Sequence, residues 1–422
     1  MKEENTNSHQ SMIEFTELEQ IKAFVYLHES IHTKQEAQTV IDTLLSCRET
    51  WKNVHGEWMD GRFLYVDIHY RLSDAFQILG QFGEAINCLM YCIKVVETSG
   101  DYKYLYQVKA DLYSCIAKLK CDLGAYEDAK EDFKNSVYYQ FVQYNHTHYD
   151  RFEFYSFRKV NEYSISNLEH NTITLANPTS FNDPLDPALT AHFDWQIANN
   201  CRNEKEKRFL QLQQEVYGLV RIRCFTRALS LPLREGRDVS PLNPDQKEIN
   251  ITTMWGHYAE NHKGICIKYV FPKELTEKNI ENDAVRIIHE VDYLKEYNPQ
   301  STSFNIDHAF FAKSNFWEYE HEHRILYFNR NSEENYPDIT ISPECITDIF
   351  LGLRISEEDK QKVINAINDK PHIRLHQMVL SNDNIYLLKS VELKRDIPSD
   401  KNGCCIGKCI KTIKEKIKKV IN

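Results

Sequence analysis

The sequence predicts an α+β chain: an all-α helical array over residues 12–147, a mixed α/β domain over 148–396, and a basic tail or helix over 397–422. Three observations predict it. A short motif recurs in the first third at an offset of 129 − 85 = 44 residues. The helical period is lost across an aromatic and histidine-rich stretch from Tyr138 to Tyr155. Beyond it, short β-rich runs alternate with helical ones, the pattern of a mostly antiparallel or mixed sheet.

In the array, Leu79-Gly80-x-Phe82-x-x-Ala85-x-x-x-Leu89 aligns without gaps on Leu123-Gly124-x-Tyr126-x-x-Ala129-x-x-x-Phe133. A glycine ends one helix because it tolerates the left-handed cap. The aromatic residue packs in the turn, and the small alanine lets the next helix approach closely. A weaker unit lies at Gln35–Leu45. The motif resembles the tetratricopeptide repeat, whose usual period is about 34 residues. The longer offset implies extended helices, as over Asp101–Leu123. The resemblance implies a concave groove for a protein or peptide; a helical scaffold that only packs on the next domain is the alternative.

Hydrophobic residues make up 42% and charged residues 27%, which is ordinary for globular protein and argues against long disorder. The net charge of -11 gives no global attraction to nucleic acid, although a local basic surface stays open. No run approaches ~18 uninterrupted apolar residues, so no membrane contact is expected. The polar start MKEENTNSHQ carries no secretory signal. Twelve cysteines are spread along the chain, with Cys88, Cys92 and Cys115 on apolar helical faces. They read as reduced, core-filling thiols of a cytoplasmic protein. Nothing in the composition sets an oligomeric state.

In the second domain, strands are expected at residues 153–158, 172–177, 219–226, 264–271, 284–293, 323–328, 346–353 and 372–380. Helices are expected at 161–170, 203–215, 252–262, 308–318 and 356–368. No glycine-rich phosphate loop follows any strand, which argues against a doubly wound parallel sheet.

Five windows carry the chemistry. Arg158 ends an aromatic strand, and Phe181-Asn182-Asp183-Pro184 forms a rigid turn, either structural or at a cleft mouth. Cys224 sits beside Phe225 at a strand end, as a buried thiol or as a nucleophile. In TTMWGHYAENHKG, His257 and Tyr258 contact a ligand or pack internally. His257 and His262 are five apart, which is not the spacing of a metal-binding helix, and no metal is expected. In the fourth window a strand beginning near Glu320 would put Glu320, Glu322 and Arg324 on one face. Two carboxylates and a guanidinium there are either an internal ion-pair ladder or a catalytic carboxylate oriented by arginine. The fifth, residues 347–354, reads as a buried strand closed by Gly352.

Together these windows resemble a bacterial family known as domain of unknown function 2971, over roughly residues 150–390. The residues that carry the resemblance are Arg158, the Phe181–Pro184 turn and Cys224-Phe225. Met254-Trp255-x-His257-Tyr258, His262-Lys263-Gly264, Lys313-Ser314, Trp317, Glu320-x-Glu322-x-Arg324, residues 346–352 and Leu375-His376-Gln377 complete it. A looser likeness is to ADP-ribosyltransferases, through a basic residue on a first strand and a Glu-x-Glu opening a late one. That likeness implies NAD as the cofactor used, Glu322 as the catalytic carboxylate and Glu320 as its orienting partner, with Arg324 beside them. It implies Arg158 on the NAD phosphate or ribose, and His257 or Tyr258 stacking near nicotinamide, with Asn182 and Asp183 at the cleft mouth. The combination is that of a bacterial effector or toxin-like enzyme, such as one in phage defence. A non-enzymatic interaction or ligand-binding module and a metal-independent nuclease using His257, His262 and Glu322 are the alternatives.

In the tail, Ile406, Ile410, Ile413, Ile417 and Val420 fall on one side of a basic amphipathic helix. Cys404, Cys405 and Cys409 lack a fourth local metal ligand.

Overall fold

The computed structural model describes residues 31–55, 62–98, 103–144, 151–181, 183, 185–227, 252–272, 275, 279–281, 283–300, 305–382 and 388–395. The beginning of the array at residue 12, the boundary at 148 and the tail at 397–422 lie outside the described residues. Two compact units are present, one within Met1–Tyr144 and Ile197–Tyr217, the other within Asn145–Gln196 and Gly218–Asn422.

The first unit is helical. Helices α1 (Lys34–His55), α2 (Arg62–Ile78), α3 (Phe82–Thr98), α4 (Lys103–Asp122) and α5 (Tyr126–Gln143) each pack on the next. The two copies of the repeated motif close α2 and α4 in the same way. Gly80 and Gly124 adopt φ of 75° and 81°. The N–H groups of Gln81 and Ala125 then reach back to the Phe76 and Lys120 carbonyls, each at 2.9 Å. That geometry satisfies carbonyls the helix end would leave open. Ala85, Leu89, Ala129 and Phe133 of the motif are all buried. The helix Glu204–Tyr217 also belongs to this unit, although it lies inside the range 148–396. Its apolar face explains the placement: Phe209 and Tyr217 pack edge-on to Phe133 at 5.9 and 5.7 Å, and the Tyr217 hydroxyl donates to Gln140 Oε1 at 2.8 Å. No described helix is long and apolar enough to cross a membrane.

The second unit is built on a mixed sheet, so the chain is α+β. Its first strands are β1 (Arg151–Arg158), β2 (Thr172–Thr174), β3 (Arg221–Arg227), β4 (Ile265–Pro272), β5 (Asn279–Glu281), β6 (Ala284–Glu290) and β7 (Asp292–Leu294). They are followed by β8 (Ala312–Ser314), β9 (Glu322–Asn329), β10 (Asp338–Thr340), β11 (Ile346–Leu351), β12 (Arg374–Leu380) and β13 (Leu388–Leu393). Nine of them form one sheet in the order β13-β12-β11-β4-β1-β3-β9-β6-β5. Every pairing in it is antiparallel except β11–β12. A crossover through a helix is what a parallel pair requires, and Glu357–Ala366 supplies it.

Side chains alternate along each strand, and the register between strands carries the alternation across the sheet. Phe154, Ile267, Tyr269, Phe225, Ile325 and Ile349 share one face. They pack with Leu168 of α6 (Glu162–His170) and with Val363 and Ala366 of the crossover helix. Tyr155, Phe157, Cys266 and Phe350 share the other face, where Met254 and Trp255 of the short helix α7 (Thr252–His257) join them. Helix α8 is the crossover Glu357–Ala366, capped by the Ser356 hydroxyl. An Asn161–Ser164 capping box opens α6.

Three elements differ from expectation. The helix over 252–262 stops at His257, because Glu260, Asn261 and His262 turn left-handed with φ of 51°, 55° and 68°. The helix over 308–318 is a turn at Asp307–Phe311, strand β8 and a 3-10 turn at Asn315–Glu320. Parallel pairing of β8 with β7 takes up the backbone groups that a helix would have used. The strand expected near Glu320 starts at Glu322, since His321 is left-handed at φ 45°.

Candidate active site

On the second face of the sheet a charge cluster gathers side chains from four elements. Lys313 comes from β8, Glu320 from the turn after it, Glu322 and Arg324 from β9, and Asp186 from the loop beyond Phe181. The Lys313 ammonium donates to Glu320 Oε2 at 2.6 Å and to Glu322 Oε2 at 2.9 Å, with Asp186 Oδ2 at 3.1 Å. Arg324 donates through Nε to Glu322 Oε1 at 2.8 Å and through Nη1 to the Phe310 carbonyl at 2.6 Å. Its Nη2 meets both Asp186 oxygens, at 2.6 and 2.8 Å. None of the five residues is more than 7% exposed. Charges taken this far out of water persist only when paired and hydrogen-bonded, as these are.

Three carboxylates against two cations leave one excess negative charge when all are ionised, and Glu320 is the carboxyl that resists ionising. Burial raises the Glu320 carboxyl above the usual range; Lys313 opposes this and neighbouring Glu322 adds to it. Burial would raise Glu322 as well, but Arg324 and Lys313 together hold it at about 2. Lys313 and Arg324 are in turn held protonated by the surrounding carboxylates, against their own burial. Two adjacent carboxyls pushed in opposite directions are an arrangement in which the tasks of proton acceptor and permanent anion can be divided.

Around this core, the Tyr258 hydroxyl donates to Glu320 Oε1 at 2.7 Å. Burial and the Glu320 charge keep that phenol protonated. The Tyr293 hydroxyl accepts from the Glu322 backbone N–H at 2.8 Å. Cys224 pairs in register with Arg324 and so lies on the face of Glu322. Burial and the Glu322 charge push its thiol far above the ordinary range, so it stays a thiol. A raised thiol favours the buried strand reading over the nucleophile, because only the thiolate attacks.

The outer layer is aromatic. Trp317 Nε1 donates to Asp183 Oδ2 at 3.0 Å, and the Lys313 ammonium lies 5.1 Å from the Trp317 ring centroid. His257 is exposed and stands edge-on to Trp317 at 6.0 Å. Phe316, next to Trp317, is 85% exposed. The other Asp183 oxygen accepts the Leu185 N–H at 2.9 Å, the closed turn that the Asp-Pro sequence favours.

Among the residues singled out in the sequence, Glu320, Glu322, Arg324 and Tyr258 therefore meet, and Asp183 and His257 reach them through Trp317. Asn182 lies outside the described residues. Arg158 does not join. It pairs with Ile265 and alternates with Phe157, so it stands on the face of Phe154, opposite Glu322 and Arg324. Sequence reasoning missed Lys313 as the hub, and it missed Asp186 and Tyr293. Lys313 and Trp317 did lie in a noted window. Asp186 follows closely on the noted Phe181–Pro184 turn, but nothing in its own pattern marks it.

No curated protein and no solved structure matches the chain. Over residues 254–325 the chain is similar to a family described as a protein of unknown function, DUF2971, and that segment supplies Tyr258, Tyr293, Lys313, Trp317, Glu320, Glu322 and Arg324, though not Asp186.

Proposed function

We propose that this centre belongs to an NAD-using enzyme of the ADP-ribosyltransferase kind, with tetratricopeptide-like repeats recruiting the protein or peptide that accepts the ADP-ribose. The observation that carries the reading is the split carboxyl pair on Lys313, one raised and one held at about 2. Breaking the bond between ribose and nicotinamide develops positive charge on the sugar, and a buried excess of negative charge stabilises it. The geometry favours an exchange of roles within the pair. Glu322 has both cations bound to it and acts by positioning. Glu320 has Lys313 alone and reaches the outer layer through Tyr258, so it faces the ligand. In the transfer, nicotinamide leaves with the electron pair of the broken bond. The acceptor bonds to the ribose carbon, and its proton passes by way of the Tyr258 hydroxyl to Glu320. Trp317 and His257 offer ring faces for a planar base.

Purified full-length protein is expected to release nicotinamide from NAD in the presence of an acceptor. Glu320→Gln and Tyr258→Phe should each lower kcat by about 10²–10⁴ with little change in KM, the usual weight of a proton-transfer group. Absence of nicotinamide release by the unsubstituted protein would sink the reading. The contact of every charged group in the cluster with an opposite charge favours a second reading, a non-enzymatic ligand-binding module. It predicts that the same variants change ligand affinity and leave NAD intact.

A further inference from the structure

The opposite face of the sheet holds two arginines that no acid among the described residues neutralises. Arg158 of β1 and Arg223 of β3 share the face of Phe154 and Phe225. The pairing of these strands runs through Phe154↔Arg227 and Tyr155↔Thr226. Continued by alternation, it would set Arg158 across from Arg223. One residue further, however, the edge of β3 is taken by Ala176, which exchanges two hydrogen bonds with Ile222 at 2.8 and 2.9 Å. The β1–β3 pairing therefore gives way to Ala176 at the level of the two arginines.

Neither side chain meets a carboxylate among the described residues. Arg223 is 6% exposed; it donates Nη2 to Ser156 Oγ at 2.8 Å and lies over the Phe225 ring at 5.4 Å. Its buried Nε finds no acceptor. Arg158 is half-buried. Burial and the Arg223 charge both depress the Arg158 guanidinium below its ordinary range. Two like charges in a low-dielectric setting are costly unless a counter-charge arrives.

We propose that Arg158 and Arg223 form a binding site for a phosphate group, distinct from the carboxylate centre on the other face. Two guanidinium forks match the charge of a phosphate dianion and present donors to its oxygens in pairs. The Ser156 hydroxyl, already accepting from Arg223, keeps its own proton to donate. The site does not depend on the NAD reading and survives its failure.

Thermal unfolding of the full chain tests it, with inorganic phosphate or adenosine monophosphate added against potassium chloride at equal ionic strength. Both phosphates are expected to raise Tm saturably. Tighter binding of the nucleotide would assign the group to an organic phosphate, and equal binding to the free ion. Arg158→Gln should match or exceed the unsubstituted Tm in chloride, since it removes an uncompensated charge, while weakening phosphate binding by about tenfold or more. Arg158→Lys should fall between. No saturable shift beyond the chloride control, full retention of the shift in Arg158→Gln, or unfolding of that variant in chloride would each overturn the proposal.

Discussion

Arg324→Met is expected to destabilise the sheet unit by about 3–5 kcal/mol, the range for removing one partner of a buried ion pair. Arg324 is fully buried, and its guanidinium binds Glu322, both oxygens of Asp186 and the Phe310 carbonyl. Methionine keeps much of the volume but leaves three carboxylates sharing one lysine. Arg324→Lys should recover part of the loss, because a point charge cannot span Glu322 and Asp186 as the fork does. Asp186→Asn in the Arg324→Met background should be less costly than the sum of the two changes, since it removes one of the orphaned charges. Hydrogen exchange of the β9 amides reads the effect locally. A change under about 1 kcal/mol would mean that the cluster contributes little to the fold.

A loss of similar size is expected from Gly264→Ala and Gly352→Ala, for steric reasons. A Cβ on Gly264 would lie 2.0 Å from the Arg158 carbonyl oxygen, and one on Gly352 would lie 2.2 Å from the His262 carbonyl oxygen. Three backbones meet here. The Gly352 N–H donates to the Gly264 carbonyl at 2.9 Å, and the Arg354 N–H to the His262 carbonyl at 2.9 Å. None of these atoms belongs to a flexible side chain, so the strands themselves would have to move. A cost of about 3 kcal/mol each, at the upper end for overpacking, is expected in thermal unfolding. Displacing the left-handed turn would also shift Tyr258 away from Glu320, so nicotinamide release should fall together with Tm. Gly256→Ala is the control. Its Cβ meets nothing within 4 Å, and alanine in α7 should be neutral or stabilising by up to about 1 kcal/mol. Unfolding of Gly256→Ala, or ordinary stability of the other two, would contradict the account of this junction.

Much of the fold was legible because it depends on local rules. The repeated Leu-Gly pairs announced the left-handed closes at Gly80 and Gly124. Period-two runs announced β1, β3, β4, β9 and β11. Helices α6 and α8 fall within the expected ranges 161–170 and 356–368. The failures were tertiary. Strand β8 is three residues long and exists because β7 pairs with it, so no pattern of its own marks it as a strand. Alternation within β9 did put Glu322 and Arg324 on one face. It could not say whether Arg158 on β1 shared that face, since the answer needs the register from β1 through β3 to β9. Asp186 stands 138 residues from the Arg324 it binds, a separation no spacing argument bridges. Glu320 reached the expected cluster by an unexpected route, through a 3-10 turn and Lys313 instead of strand alternation.

The opposed carboxyls also set opposite responses to pH. For Glu322, held at about 2, folding stability is present above the ordinary glutamate value and is lost as pH falls towards 2. For Glu320, raised, the contribution is present below the ordinary value and is lost as pH climbs through the raised one. A carbon-13 NMR titration of glutamate side-chain carboxyls, assigned with Glu320→Gln and Glu322→Gln, observes both directly. The Glu320 resonance should move at a pH above that of exposed glutamates, with Glu322 unmoved until far into acid. Two resonances titrating together at the ordinary glutamate pH, or Glu322 titrating above Glu320, would contradict the division of roles on which the site is built.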